Sequence, residues 1–181
     1  DACSIVIFGA SGDLTRRKIF PALYSLAFRR LLPERFGIVG VARTEQKTKQ
    51  WVAEMKKAVK EHGRDELRTD VWNELAAGMR YVSTDFADDR GEDDVVEALH
   101  DLDEKRGTAG NRLYYLAVPP AAFETIVNKL GERRSSEGWT RLIVEKPFGH
   151  DRESAGRLNE ILWRHFAEEE VFRIDHYLGK E

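Results

Sequence analysis

Residues 4–18, SIVIFGASGDLTRRK, constrain the fold of this chain more than any other stretch. Four apolar residues, Ile5 to Phe8, run into Gly9. The chain then passes through Ala10 and Ser11, and from Gly12, Asp13 and Leu14 onward it takes helical spacing. The pattern reads as a strand, a tight turn and a helix. Such a turn suits a phosphate: residues without bulk let a diphosphate approach the backbone, and the unpaired amides at the helix N-terminus point at its charge. The spacing is Gly-x-x-Gly, with Ser11 where the second glycine of the dinucleotide fingerprint would stand. A sharp strand-to-helix reversal without a ligand also uses glycine, so the turn alone leaves both readings open.

With 181 residues, a single domain with a full core is the expected organisation. A net charge of −3 speaks against nucleic acid or an anionic membrane as the main partner. No apolar stretch approaches the length of a bilayer span. One cysteine, Cys3, excludes an internal disulfide, and no signal segment opens the chain, so a cytoplasmic location is expected. The absence of an initiator Met and the stop at Glu181, directly after a dense polar motif, suggest a piece of something longer.

Short apolar runs alternate with amphipathic stretches. Strands are expected at about 4–8, 36–42, 79–84, 112–118, 139–145 and 171–174. The helical stretch after Gly12 runs through Leu14, Ile19, Leu23, Leu26 and Leu31, with Pro21 expected to bend or divide it. Further helices are expected at 45–61, 66–77, through Val95, Leu99 and Leu102, at 121–134 and at 152–167. An acidic turn over 85–94 invites a metal reading, against which helix capping and solvation weigh more heavily; no metal site is expected. Six strands separated by helices imply an α/β fold, a doubly wound, Rossmann-like parallel sheet with helices on both faces. In the order 3-2-1-4-5-6 the ligand crevice opens at the C-terminal ends of strands one and four. Gly9 and the pair Pro119-Pro120 stand at those ends.

The end of strand two reads Val39-Gly40-Val41-Ala42-Arg43-Thr44. An arginine there, in place of an acidic residue, favours a ribose 2′-phosphate and hence NADP. Thr44 leaves open how strictly NAD is excluded. Two later motifs add reactive groups. Glu145-Lys146-Pro147-Phe148-Gly149 ends strand five with a lysine at the crevice edge, suited to a substrate oxygen or the cofactor, and leaves open whether the bond before Pro147 is cis. In Arg173 to Glu181, Asp175, His176, Tyr177 and Lys180 fall within six residues. His176 and Lys180 suit a phosphate, and Asp175 suits the orientation of a histidine base.

The motifs FGASGDLTRRKIFPALYSL (8–26), LAVPPAAF (116–123), EKPFGHD (145–151) and RIDHYLGKE (173–181) resemble, in order and across the whole chain, the coenzyme domain of the glucose-6-phosphate dehydrogenase family. The glucose-fructose oxidoreductase group shares a Rossmann domain and an EKP motif but lacks DHYLGKE. The resemblance implies an enzyme of the pentose phosphate pathway that oxidises C1 of glucose 6-phosphate to the 6-phosphogluconolactone and passes hydride to NADP. It implies that the turn Gly9, Ala10, Ser11, Gly12, Asp13, Leu14, Thr15 and Arg16 holds the diphosphate, and Arg43 the 2′-phosphate. Asp85 and Phe86 would lie on the adenine side, and Lys18 and Lys146 at the junction of cofactor and sugar. His176, Tyr177 and Lys180 would hold the sugar phosphate, and Asp175 would orient the catalytic histidine.

In that family the general base lies beyond DHYLGKE, on a large α+β domain that also carries the oligomer contacts. His62, His100, His150 and His165 match no family base, so the expectation is a 181-residue coenzyme domain that is inactive alone. A non-catalytic NADP-binding or sensing module is the alternative, and a structural or interaction module would bind no dinucleotide. Without its partner domain the chain is also expected to expose an apolar face and to self-associate.

Overall fold

The computed structural model describes residues 1–86, 88–134, 137–145 and 152–174, with backbone alone for Asp89 and Arg152. The apolar runs form six strands: β1 (Cys3–Phe8), β2 (Phe36–Ala42), β3 (Met79–Ser83), β4 (Arg112–Leu116), β5 (Thr140–Glu145) and β6 (Val171–Ile174). All pair in parallel in the order β3-β2-β1-β4-β5-β6, as expected of a doubly wound sheet. β1 is the hinge of the winding: Phe8 stands level with Val41 of β2 and Leu116 of β4. Buried on both faces, it can be apolar at every position but Ser4.

Helices α1 (Phe20–Phe28), α2 (Thr48–His62) and α3 (Thr69–Ala77) share one apolar layer with β1, β2 and β3. Helices α4 (Asp89–Arg106), α5 (Pro120–Glu132) and α6 (Arg152–His165) build the layer on the other side. Among the described residues no helix is long and apolar enough to cross a membrane.

The stretch after the Gly9 turn departs from a plain helix. A π-helical turn, Thr15–Ile19, precedes α1, and the Phe20 amide donates to the Thr15 carbonyl five residues back. Pro21 then occupies the first turn of α1. Its ring has no N–H to give the carbonyl at position 17, and the widened turn accommodates that loss without breaking the helix. The expected continuation to Leu31 does not form. Arg30 turns left-handed (φ 57), its amide bonding Ala27 O at 3.0 Å and that of Leu31 bonding Leu26 O at 2.8 Å. This is a Schellman-type stop, and it leaves Leu31 exposed.

The acidic run is helical from Asp89 onward, with Asp88 at the cap position. Glu92 is buried and ion-paired to Lys129 and, at 2.6 Å, to Arg133, which ties α4 to α5. Carboxylates at a helix N-terminus are also favoured by its dipole.

α2 packs through Trp51, which is fully buried between Phe20 and Tyr81, with ring centroids at 5.3 and 5.4 Å. The indole lies directly on Gly40 of β2, where a Cβ would meet its ring carbons at 2.5 and 2.6 Å. Gly40→Ala is therefore predicted to lower stability by about 1–3 kcal/mol, read as a fall in urea midpoint with an unchanged m-value.

At the N-terminal edge of the sheet, buried Arg112 meets Asp103 of α4 through both terminal guanidinium nitrogens. The same carboxylate accepts from Thr108 Oγ1 at 2.6 Å and the Gly110 amide at 3.0 Å. Burial alone would raise the Asp103 pKa, but these donors outweigh it and hold it at about 2, below its ordinary 3.8. A depressed folded-state pKa means stability fully present above the unfolded value and lost as pH falls through the folded one. The stability advantage of the wild type over Asp103→Asn is predicted to shrink by up to about 2 kcal/mol between pH 4 and pH 2. Denaturant titrations across that window check this; parallel pH curves would contradict it.

Candidate coenzyme site

The C-terminal ends of β1, β2, β3 and β4 converge on a cleft of about 780 Å³. Its walls come from Phe8, Gly9, Ser11 and Gly12 after β1, and from Val41 to Thr44 after β2. Thr84 to Phe86 follow β3, and Ala117 to Pro119 follow β4. One side of α5 closes it with Ala121, Ala122, Thr125 and Ile126.

Hydrogen bonds to the neighbouring strands hold the turn after β1. The amides of Gly9 and Ala10 both donate to Val41 O, at 2.9 and 3.1 Å, and that of Ala117 donates to Phe8 O at 3.0 Å. Gly9 has φ +85, and a Cβ on it would lie 2.0 Å from Ala117 O, so the conformation and the close approach of β4 both require glycine. Thr15 Oγ1 donates back to Gly9 O at 3.0 Å, and buried Trp51 Nε1 donates to Ala10 O at 3.0 Å. The helix entered at Asp13 thus starts at the cleft floor, and the amides of its first turn have no intrahelical acceptors. That is a donor set for a phosphate.

The rim after β2 carries the positive charge. Thr44 O accepts from Tyr81 OH at 2.8 Å and Ser83 Oγ at 3.0 Å, which pins the loop, and Thr44 Oγ1 donates to Ser11 Oγ at 2.9 Å across the cleft mouth. Arg43 is exposed at this rim and has no carboxylate partner among the described residues. A fixed backbone with a free guanidinium beside two hydroxyls fits a dianionic phosphate. At the end of β3 Phe86 is buried, its ring edge-on to Phe8 at 4.7 Å, so it forms an apolar wall; Asp85 beside it is exposed.

The structure thus brings Gly9, Ser11, Gly12, Arg43, Asp85 and Phe86 to one cleft. Ala10 and Thr15 lie packed beneath it, and Leu14 is half-buried. Asp13 and Arg16 line a separate groove against α2, beside Glu54 and Glu61, and Asp13 pairs with Arg17 at 3.0 Å. Lys18 is exposed on the π-helical turn. Lys146, Pro147, Asp175, His176, Tyr177 and Lys180 lie outside the described residues. The sequence reading missed the α5 wall; its signal is Pro120, a helix-starting proline set directly behind the end of β4. Another unanticipated feature is Tyr115 of β4, whose hydroxyl donates to Glu145 at the end of β5. Burial first, and then this carboxylate, push the phenol far above its ordinary pKa. His62, His100 and His165 sit on α2, α4 and α6, and none lines the cleft.

Residues 6–181 match the family model described as glucose-6-phosphate dehydrogenase, NAD binding domain. Glucose-6-phosphate 1-dehydrogenase 2 of Mycobacterium tuberculosis is 46% identical over 183 residues, and the alignment covers 99% of this chain and 36% of that protein. The chloroplastic glucose-6-phosphate 1-dehydrogenase 1 of Arabidopsis thaliana is 43% identical over 182 residues, covering 98% of this chain and 31% of that one. A solved glucose-6-phosphate dehydrogenase in complex with its substrate glucose 6-phosphate superimposes with TM-score 0.86 at 36% identity, covering all of this chain and 38% of that one. The Mycobacterium avium enzyme superimposes with TM-score 0.83 at 35% identity, over 98% of this chain and 36% of its own. The chain spans about a third of the length of the relatives it matches, and by family model, sequence and fold it belongs to the glucose-6-phosphate dehydrogenase family, as its NAD-binding domain.

Proposed function

We propose that this chain is the NADP-binding domain of an enzyme that oxidises C1 of glucose 6-phosphate. The observation that carries the reading is the single cleft rim on which the Gly9–Gly12 turn, Ser11, Thr44 and the unpaired Arg43 stand together. NADP, when bound, supplies the hydride acceptor. The first-turn amides from Asp13 onward take the diphosphate, and Gly9 keeps the backbone low enough for it to approach. Arg43, Ser11 and Thr44 take the 2′-phosphate, and Phe86 with Ile126 and Ala122 gives the adenine side its apolar walls.

Substrate groups come from the sequence motifs. Lys146 meets the sugar near the reacting carbon, and His176, Tyr177 and Lys180 hold its phosphate. Asp175 orients a histidine base that the family carries beyond this sequence. That division makes the 181-residue chain competent to bind the coenzyme and inactive as a dehydrogenase. Removing a general base alone costs about 10²–10⁴ in rate.

The test is calorimetric titration of the chain and of Arg43→Ala with NADP and with NAD. Loss of a charge-assisted phosphate contact of about 1.5–3 kcal/mol is predicted to weaken NADP at least tenfold while leaving NAD unchanged. Equal losses for both nucleotides, or none for either, would contradict the assignment of Arg43.

A further inference from the structure

Two walls flank the part of the cleft that takes the base of the dinucleotide. One is the loop after β3, with Thr84, Asp85 and Phe86, and the other is the start of α5, with Ala122, Thr125 and Ile126. Both walls lead back to Glu92. On the β3 side, α4 sits directly on the loop: the Asp88 amide donates to Asp85 O at 2.9 Å, and a Cβ on Gly91 would lie 2.7 Å from that carbonyl and 2.2 Å from Thr84 Oγ1. The next residue is Glu92, which is buried. Its two carboxylate oxygens are taken separately, one by Lys129 Nζ and the other by Arg133 Nε at 2.6 Å. Asp93 adds a contact to Arg133 at 2.7 Å. Lys129 stands one helical turn beyond Thr125 and Ile126, on the same side of α5, so the ion cluster lies behind the wall that those two residues form.

Glu92, Lys129 and Arg133 are not among the residues that line the cleft. Their effect on a ligand is therefore transmitted through the walls. The two helices also share an apolar layer, with Val95 and Leu99 on α4 and Ile126 and Val127 on α5. Apolar attraction is non-directional and holds the helices together without fixing how far one slides along the other. A buried carboxylate costs desolvation, and apolar side chains of the same volume would stabilise the contact as well or better. What the ion cluster supplies in addition is direction, because two cations from successive turns of α5 grip opposite oxygens of one group. That precision matters at the slot. A gap of about 0.5–1 Å between a ligand and its wall forfeits about a quarter to a half of each contact.

We propose that Glu92 is a positioning residue for the coenzyme. Through Lys129 and Arg133 it sets the spacing between the Thr84–Phe86 wall and the α5 wall, and thereby the grip on the base. This role rests on the reading of the cleft as the dinucleotide site, and it concerns the part of the ligand that NADP and NAD have in common.

The test titrates the 181-residue chain, Glu92→Gln and Glu92→Asp with NADP and NAD by calorimetry, and with inorganic pyrophosphate by NMR. Glu92→Gln keeps the shape and removes both ion pairs; it is expected to weaken NADP and NAD by the same factor, about three- to tenfold. Pyrophosphate, which needs only the turn after β1, is expected to bind as to the wild type. Glu92→Asp keeps the charge and shortens the tie by one methylene, and a loss in the same direction is expected, which maintains the test should Glu92→Gln not fold. A residue that merely stabilised the fold would lower the urea midpoint and leave all three affinities unchanged in the folded protein. That result overturns the proposal, as does a loss that extends equally to pyrophosphate. A wild-type chain that binds neither nucleotide refutes the dinucleotide reading itself, and the positioning role with it.

Discussion

The structure depends on how β1 ends. Val41 O accepts two successive amides, those of Gly9 and Ala10, while Phe8 O accepts the Ala117 amide from the opposite side. The turn is thus sewn to both neighbouring strands at the point where the winding of the sheet reverses. The left-handed Gly9 brings β4 to contact, and the carbonyls of Gly9 and Ala10 are taken by Thr15 and Trp51. Buried polar groups of the turn are satisfied by protein, which leaves the first-turn amides of the helix as donors without intrahelical acceptors.

The same asymmetry runs through the molecule. The first half of the sheet is clad on both sides, by α1, α2 and α3 on one and α4 on the other, and its C-terminal edge forms most of the cleft. The second half is clad on one side and presents Ile143, Phe172 and Arg141 on the other. Glu92 is neutralised by Lys129 and Arg133 and Asp103 by buried Arg112, which fixes α4 to α5 and to β4, whereas Arg43 and Arg141 have no carboxylate partner among the described residues.

Much of this was legible in the residues. Apolar runs bracketed by Gly9 and by Pro119-Pro120 give the strands and the switch point, because an inner parallel strand has to be apolar on both faces. Arg43 was legible because the residue after β2 sits at a fixed place on the cleft rim in this winding. What stayed hidden depends on side-chain direction and long-range pairing. Adjacency to the turn does not say which way a helix projects its residues, so the sequence could not show Asp13 and Arg16 facing α2 while Ser11 and Gly12 face the cleft. Glu92 reads as one acid in a solvated run, yet Lys129 and Arg133 from α5 make its burial possible. The stop at Arg30 has no glycine to announce it, and the π-helical turn before Pro21 resolves a bend that the proline alone left open.

The most direct measurement is an amide-resolved NMR titration of the 181-residue chain with NADP. Shift changes are predicted to concentrate on the amides of residues 9–16, on Arg43 and Thr44, and at the start of α5. The face of Ile143 and Phe172 should stay unperturbed. Shifts confined to that face, or none at the Gly9–Gly12 turn at saturating nucleotide, would contradict that prediction.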